Sequence, residues 1–416
     1  MRGLARASSD DLGAGDVLDR RLRAHSGRPL AVAVSGGGDS VALAMAAEAW
    51  AKANGRRLLI LTVDHGLNPA SAGWTRSCAE LAARLGAGFE ALAWAGEKPT
   101  TGLPAAARDA RHRLLAEAAR AAGAKVLLMG HTAGDVAEAR AMRLAGSTTP
   151  TVREWAPSPV WPEGRGLFLL RPLLGAGRAA IRAWLAAQGQ EWIDDPANDD
   201  LRFARARARR VLDAGAAEVV PAGPAADLAR LAAQVRDDPS GLIALPRESL
   251  RQGEITIFVG VACLCAAGTS RPARRDRVER LALRLRGRET FTASLAGARV
   301  EADDTQVRFM REPGEMARTG LEPLVLDPGR PSVWDGRFEI TAARAATILP
   351  LAGRAARLPA GQRHGLARLT PSTRPGLPVA VHGDDIVLAA SDPGLNVRAL
   401  AHERLLAACG VVEREP

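Results

Sequence analysis

Cysteine is scarce in this chain: Cys78, Cys263, Cys265 and Cys409 are the four in 416 residues, and no pair has Cys-x-x-Cys spacing. Zinc sites, iron–sulfur clusters and disulfide frameworks rely on such spacing, so the four are expected to be buried, reduced thiols. No apolar run is long enough to span a membrane. The first thirty residues carry Arg2, Arg6, Asp10, Asp11 and Asp16 without the apolar core of a secretory signal. A cytoplasmic protein with no membrane partner is the expectation. No low-complexity tract argues for disorder, and no solenoid repeat is visible.

What is present is the composition of a globular protein, 47% hydrophobic and 25% charged. At 416 residues the chain exceeds one ordinary core, so two or three domains are expected. The formal net charge is +10, carried mostly by arginine. Such a surplus favours a polyanionic partner, nucleic acid first, because cations placed near phosphates release condensed counterions. An arginine-rich composition alone gives the same total, so charge does not decide.

From about Arg28 to Gly189, short β-rich runs alternate with alanine-rich amphipathic stretches. The runs are Leu30 to Val34, Leu58 to Val63, Phe89 to Trp94, Val126 to Met129 and Leu167 to Leu170; helices are expected at Val41 to Asn54, Ser71 to Gly86, Pro104 to Gly123, Asp135 to Leu144 and Arg178 to Gln188. This βαβα order predicts an α/β fold with a doubly wound parallel sheet. Ligands of such sheets bind beyond the carboxyl ends of the strands. A Gly/Pro/Ala stretch near 214–226 marks a boundary. The expected division is a catalytic domain at 1–212, a helical basic region at 213–314 and a small β-containing domain at 315–416. Within the second, Arg277, Arg280, Arg284 and Arg288 recur three or four apart beside Val278, Leu281 and Leu285, the pattern of a basic amphipathic helix.

The most informative stretch is Ser35-Gly36-Gly37-Gly38-Asp39-Ser40, between the first apolar run and the first helical pattern. Glycines admit positive φ and close backbone approach, serines add hydroxyl donors, and the following helix turns its positive end to the same place. The turn suits an anion with many oxygens. No lysine is present to reach terminal phosphates, so it is not the familiar Gly-x4-Gly-Lys-Ser/Thr loop, nor is it the dinucleotide Gly-x-Gly-x-x-Gly turn. Asp39 would repel a phosphate unless a divalent cation lay between them, which implies magnesium. Asp64 and His65 end the second strand, where Asp64 supports a ribose or metal, or merely an Asx turn. Arg108 and Arg111 share a helix face, either as phosphate forks or as a solvated surface. Asp135 and Glu138, three apart at a helix start, pair their carboxylates toward a metal or an ammonium group; helix capping equally explains Asp135. His131, directly after a strand, is a candidate phosphate contact or proton carrier. Finally, an acidic turn at Asp194-Asp195-Pro196 leads into Arg202, Arg205, Arg207, Arg209 and Arg210, an electrostatic footprint for a phosphate backbone or for a triphosphate, or else a solvated helix face.

The glycine loop resembles the Ser-Gly-Gly-x-Asp-Ser pyrophosphate loop of the N-type ATP pyrophosphatases, the PP-loop enzymes, which have an adenine nucleotide alpha-hydrolase-like fold. With Val63-Asp64-His65-Gly66-Leu67, the Arg108/Arg111 helix, Gly130-His131 to Glu138, Arg171-Pro172-Leu173-Leu174 and the Asp194 to Arg209 run, the order of motifs resembles the tRNA(Ile)-lysidine synthetase family over about half the chain. The chain departs from that family's pattern at Pro104, His112, Gly134 and Ala206. The resemblance implies a ligase that uses ATP and Mg2+ to adenylate the wobble cytidine of a tRNA(Ile) with a CAU anticodon, then joins free L-lysine to it. It implies catalytic roles for Asp39, Asp135, Arg111 and Arg205, and nucleotide contacts from Ser35 to Ser40, Asp64 and His131. Asp39 would meet the metal, and Asp135 and Glu138 would hold lysine. Arg202, Arg207, Arg209, Arg277, Arg280 and Arg284 would contact tRNA.

Two other readings stay open. One is a different PP-loop enzyme, such as a tRNA cytidine thiolase, which needs paired cysteines that are not seen here. The other is an RNA-binding relative without catalysis, against which intact Asp39, Asp135 and Glu138 speak. Oligomeric state is not legible, a homodimer included.

Overall fold

A computed structural model describes residues 12–145, 149, 151–194 and 226–416. The chain divides into two compact units, Met1–Gly223 with Val412–Pro416, and Pro224–Val411.

The first unit is organised by period-two burial. Strands β1 (Leu30–Ala33), β2 (Leu58–Asp64), β3 (Gly88–Ala93), β4 (Val126–Met129) and β6 (Phe168–Leu170) run parallel in the order β3-β2-β1-β4-β6, and β5 (Trp155–Pro157) closes the edge antiparallel to β6. On β1 the side chains of Leu30 and Val32 join one core, with Val41, Leu43, Ile181 and Leu185, while Ala31 joins another with Leu61, Leu115 and Met129. Alternate residues of a strand point to opposite faces, so a strand apolar on both faces must be covered on both. Helices α2 (Gly38–Ala53) and α6 (Arg178–Ala187) contribute to the first core and α4 (Leu103–Ala121) to the second; α3 (Ser71–Arg84) follows β2, and α5 (Ala133–Leu144) follows β4. The doubly wound sheet expected from the sequence is therefore present. Two elements were not expected. The eight-residue helix α1 (Ala14–Arg21) buries only Ala14 and Leu18, and β5 is a three-residue edge whose Trp155 stacks on Phe168 at 4.7 Å. Both are too short for periodicity to reveal.

Connections leave β1 toward β2 on one side and β4 lies on the other. The reversal of strand order falls between β1 and β4, which is where such sheets open a crevice.

The second unit begins its sheet with β7 (Ile243–Pro246), β8 (Phe291–Leu295), β9 (Ala298–Ala302) and β10 (Gln306–Arg311) in the antiparallel order β7-β10-β9-β8. The region 213–314, read as helical, holds the helices Thr256–Ala267 and Arg275–Arg286, separated by a loop at 268–274, but also all four strands of this sheet, whose short apolar runs the helical reading passed over. The last helix, Ala401–Ala408, places Ala401 and Leu405 in the same core as Leu228, Phe258 and Phe309, so regions that the sequence separates at 314/315 share buried surface. A second core surrounds Trp334, Phe338, Ile348 and Val379. All four cysteines are buried and free, and burial pushes the Cys263 thiol up to about 12 and that of Cys265 to about 11. Among the described residues, no helix is long and apolar enough to cross a membrane.

Candidate active site

The glycine loop fills the turn between β1 and α2. Gly36 has φ +86°, and a Cβ there would lie 2.5 Å from Ile193 Cδ1; a side chain at this position is both strained and obstructed. Ile193 N donates to Gly36 O at 2.9 Å, and Trp192 packs against Gly38, so the segment after α6 lies over the loop. Ser40 Oγ donates to Gly37 O at 2.8 Å and accepts from Ser35 N at 3.2 Å, bracing the turn from inside. Ser40 N and Val41 N already donate to Gly37 O, whereas the N–H groups of Gly38 and Asp39, at the very start of α2, precede any intrahelical acceptor and suit an anion there. Across the crevice, a Cβ on Gly130 would lie 3.0 Å from the Asp39 carbonyl, so glycine lets the end of β4 approach the start of α2.

Three carboxylates meet on one guanidinium. Arg178, the first residue of α6, places Nε 3.3 Å from Asp39 Oδ2, Nη1 3.5 Å from Glu138 Oε1 and Nη2 4.0 Å from Asp135 Oδ2. The acids come from α2 and α5, whose starts flank the crevice. Burial holds the Asp39 carboxyl above its usual range even though Arg178 pulls it down. Asp135 is also a cap: the Thr132 N–H and hydroxyl both donate to its Oδ2, at 2.9 and 3.0 Å. Burial pushes Asp135 up, but its neighbours, with the Thr132 N–H and Arg178 among them, outweigh this and leave it below the usual carboxylate range. Asp135 thus caps α5 and at the same time faces the Arg178 guanidinium. Glu138 is 2% exposed.

His131 is held by Arg171, whose Nε donates to Nδ1 at 3.1 Å, while Arg171 Nη1 donates to Arg153 O at 2.7 Å. A guanidinium only donates, so Nδ1 accepts and the ring proton sits on Nε2. Burial, then Arg171, bring the His131 pKa down to about 3, and burial with Arg111 and Arg108 brings that of His112 to about 2. Both rings are neutral near pH 7, so His131 is placed as a fixed hydrogen-bond donor rather than a group that titrates there. Arg108 and Arg111 both act on His131, and Arg111 on His65 as well, so the α4 pair faces the ends of β2 and β4. Burial and Arg111 lower His65, whose ring meets Trp94 edge-on at 6.0 Å. Asp64 Oδ1 accepts from Gly66 N at 2.7 Å, the Asx turn anticipated as its plainer role.

Sequence reasoning brought out Asp39, Asp135, Glu138, Arg111 and His131, and the structure gathers them around one crevice. Arg205, with Arg202, Arg207 and Arg209, lies outside the described residues. Arg277, Arg280 and Arg284 belong to the second unit; Arg280 pairs with Asp276 at 2.9 Å, and Arg284 pairs with Glu289 and stacks on Phe291. Arg178 was missed. Its signal is a cation in the first turn of a helix, where the macrodipole disfavours one, so a compensating set of acids was to be sought.

Among the described residues, no group of three His, Cys, Asp or Glu is placed to enclose a metal ion by itself. The oxygen donors nevertheless suit magnesium, which commonly takes one or two carboxylates and completes its shell with phosphate oxygens and water. Asp39, beside the glycine turn, supplies such a carboxylate.

The model of the PP-loop domain matches residues 16–214. A tRNA(Ile)-lysidine synthase of Caulobacter vibrioides is 48% identical, the match covering 96% of this chain and 97% of that protein. The enzyme of the same name from Hyphomonas neptunium is 35% identical over 73% of this chain and 88% of its own, and that from Mesorhizobium japonicum 35% over 78% and 76%.

Proposed function

Because this chain belongs to the tRNA(Ile)-lysidine synthases, ATP-dependent carbon–nitrogen ligases of the PP-loop class, we propose how its residues divide the two steps of lysidine formation. In the first step the cytosine carbonyl oxygen attacks the α-phosphorus of ATP and pyrophosphate leaves. In the second the ε-amine of free lysine attacks the same ring carbon, and AMP departs with the oxygen. The RNA substrate is an isoleucine tRNA with a CAU anticodon, modified at the wobble cytidine.

Ser35 to Ser40 cradle the departing pyrophosphate with the N–H groups at the start of α2 and the Ser35 hydroxyl, which stabilise charge as it develops, while the Ser40 hydroxyl braces the turn. Asp39 holds magnesium, which when bound neutralises part of that charge. Arg111, and Arg205 by resemblance, meet the remaining phosphate charge. Asp135 and Glu138 receive an ammonium group of lysine. Glu138 is suited to this, since a 2% exposed carboxylate favours a cation strongly over water. His131 Nε2–H, fixed by Arg171, donates a hydrogen bond into the crevice. Arg202, Arg207 and Arg209 together with Arg277, Arg280 and Arg284 are proposed tRNA contacts. The setting is cytoplasmic.

The observation that carries this reading is the convergence of Asp39, Asp135 and Glu138 on one cation beside a glycine turn. Thiolation is not favoured, because Cys263 and Cys265 are buried thiols with raised pKa values. The test is to incubate the protein with labelled lysine, ATP, magnesium and unmodified tRNA(Ile) bearing a CAU anticodon. Label is expected in that tRNA alone; none there, or equal label in methionine tRNA, overturns the assignment.

A further inference from the structure

A cavity of about 730 Å³ in the second unit lies far along the chain from every residue of the first-unit crevice. Four arginines from separate stretches line it: Arg271 and Arg274 before the helix Arg275–Arg286, Arg277 in that helix, and Arg318 in the helix Pro313–Thr319. All four are exposed, and none forms an ion pair or a side-chain hydrogen bond among the described residues. Their neighbours differ. Arg275 pairs with Glu279 at 2.7 Å, Arg280 with Asp276 and Arg284 with Glu289, so the helix neutralises several of its other arginines and leaves Arg277 toward the cavity.

Two acids also line the cavity, and both are engaged. Glu312 Oε1 accepts from Gly314 N at 3.1 Å and Oε2 from the Ser294 hydroxyl; Glu315 Oε2 pairs with Arg311 at 3.1 Å. Only Glu315 is answered by a cation; Glu312 is held by neutral donors and keeps its charge, so the lining sets four guanidinium forks against one unneutralised carboxylate and remains strongly positive. Four like charges facing a single carboxylate repel one another, and an anionic ligand would relieve the excess. Planar forks match phosphate oxygens two at a time. The volume is in the range of ligand sites, and the open, exposed rim suits a chain that passes across it.

We infer that Arg271, Arg274, Arg277 and Arg318 form a receptor for consecutive backbone phosphates of RNA, positioning the nucleic acid without reading its bases. This rests on the functional reading only in taking tRNA as the RNA; the site is distinct from the crevice of the first unit. Of the three helix arginines first picked out, Arg277 is the one this receptor uses.

The test is the salt dependence of binding of unmodified tRNA(Ile) to the full chain, compared with Arg274→Ala/Arg318→Ala. The slope of log affinity against log salt is expected to fall by about two, and affinity at 0.1 M salt on the order of tenfold. Arg275→Ala, already paired on the helix, is the control and should keep the wild-type slope. An unchanged slope in the double variant overturns the proposal. Since the substituted side chains are exposed and repel one another, the melting temperature should hold or rise slightly; if the double variant melts early, Arg277→Gln is read in its place, with a slope change of about one. Inorganic pyrophosphate added without RNA separates the other source of phosphate: because the first-unit crevice takes it too, the reading is the part of the melting shift lost in the double variant, and such a loss with RNA slope unaltered would assign the cavity to a free anion and sink the RNA receptor. Failure of wild-type protein to transfer labelled lysine would defeat the functional reading and leave this binding result standing.

Discussion

Arg178 Nη1 lies 3.5 Å from Glu138 Oε1, so the carboxylate proposed to take the substrate's ammonium already faces a cation from the chain itself. The same guanidinium reaches Asp39 at 3.3 Å, which ties the pyrophosphate side of the crevice to the lysine side. Arg178→Ala removes the shared counter-charge. With the Arg178 side chain 31% exposed, solvent screening reduces the cost below that of a fully buried pair, to roughly 1–2 kcal/mol. Urea unfolding measures this, and Arg178→Lys should recover only part because one ammonium cannot serve three acids. The Ala variant should also show a larger magnesium-dependent rise in melting temperature. An equal rise in both proteins would mean that the acids do not act as a set.

Glu138→Gln keeps the shape and removes the charge. If Glu138 binds an ammonium group of lysine, the lost charge-assisted contact raises the lysine KM roughly tenfold to a hundredfold. The KM for ATP should stay within experimental error. Parallel changes in both would place Glu138 in general support of the crevice rather than at the amine.

Asp39 has a folded-state pKa above its unfolded value, burial being the main cause. For such a group the stabilising contribution is complete below the unfolded pKa and disappears as pH rises through the folded one, so the ionised form works against folding at neutral pH. Asp39→Asn should therefore be more stable than the wild type at pH 7, with the difference closing below about pH 4. Pyrophosphate release should fall on the order of a hundredfold or more. A variant less stable than wild type at pH 7 would show that the Arg178 pairing outweighs burial.

The two buried imidazoles predict acid lability. His112 and His131 have folded pKa values of about 2 and about 3, well below the ordinary histidine value. The unfolded chain takes up protons first, so this contribution is intact above about pH 6.5 and is lost as pH falls toward the folded values. By pH 5 each ring costs at most about 2 kcal/mol. His112→Phe keeps an aromatic ring in the buried site and should retain more of its neutral-pH stability at pH 5 than the wild type. Identical pH profiles would mean that His112 is hydrated in solution.

What the sequence disclosed was local. The glycine loop announces itself because strand, turn and helix start follow one another within a dozen residues, and Asp135 and Glu138 share a helix face by spacing alone. The doubly wound sheet follows from runs such as Val126 to Met129, whose burial on both sides needs no partner to be predicted. Arg178 was hidden because its meaning lies in three contacts across α2 and α5, none near it in sequence. Trp192 and Ile193 were hidden for the same reason: they pack on glycines more than 150 residues earlier. In the second unit, helix spacing pointed to Arg277, Arg280 and Arg284 alike. Only side-chain geometry separates the arginine left toward a cavity from the two already paired.

The last five residues, Val412–Pro416, belong to the first unit, and Glu415 is their anchor. Arg56 Nη1 and Nη2 meet Glu415 Oε2 and Oε1 at 2.6 and 2.9 Å, with side chains 0% and 1% exposed. Remaining capacity is filled: Arg56 also donates to Arg28 O and Arg23 O, and Glu415 accepts from Arg23 N. A forked pair this completely bonded offsets its desolvation, but removing one partner strands a buried charge. Glu415→Ala should therefore destabilise the first unit by about 3–5 kcal/mol. Replacing both, as in Arg56→Met with Glu415→Leu, should cost much less, because apolar groups of similar volume need no counter-charge. Urea unfolding followed by tryptophan fluorescence reads both, since Trp50 lies 5.9 Å from the Arg56 guanidinium and Trp155 Nε1 donates to Val412 O at 2.7 Å. Equal losses in the single and double variants would mean that the tail is held by its backbone hydrogen bonds, such as Glu415 N to Arg21 O, and not by the ion pair.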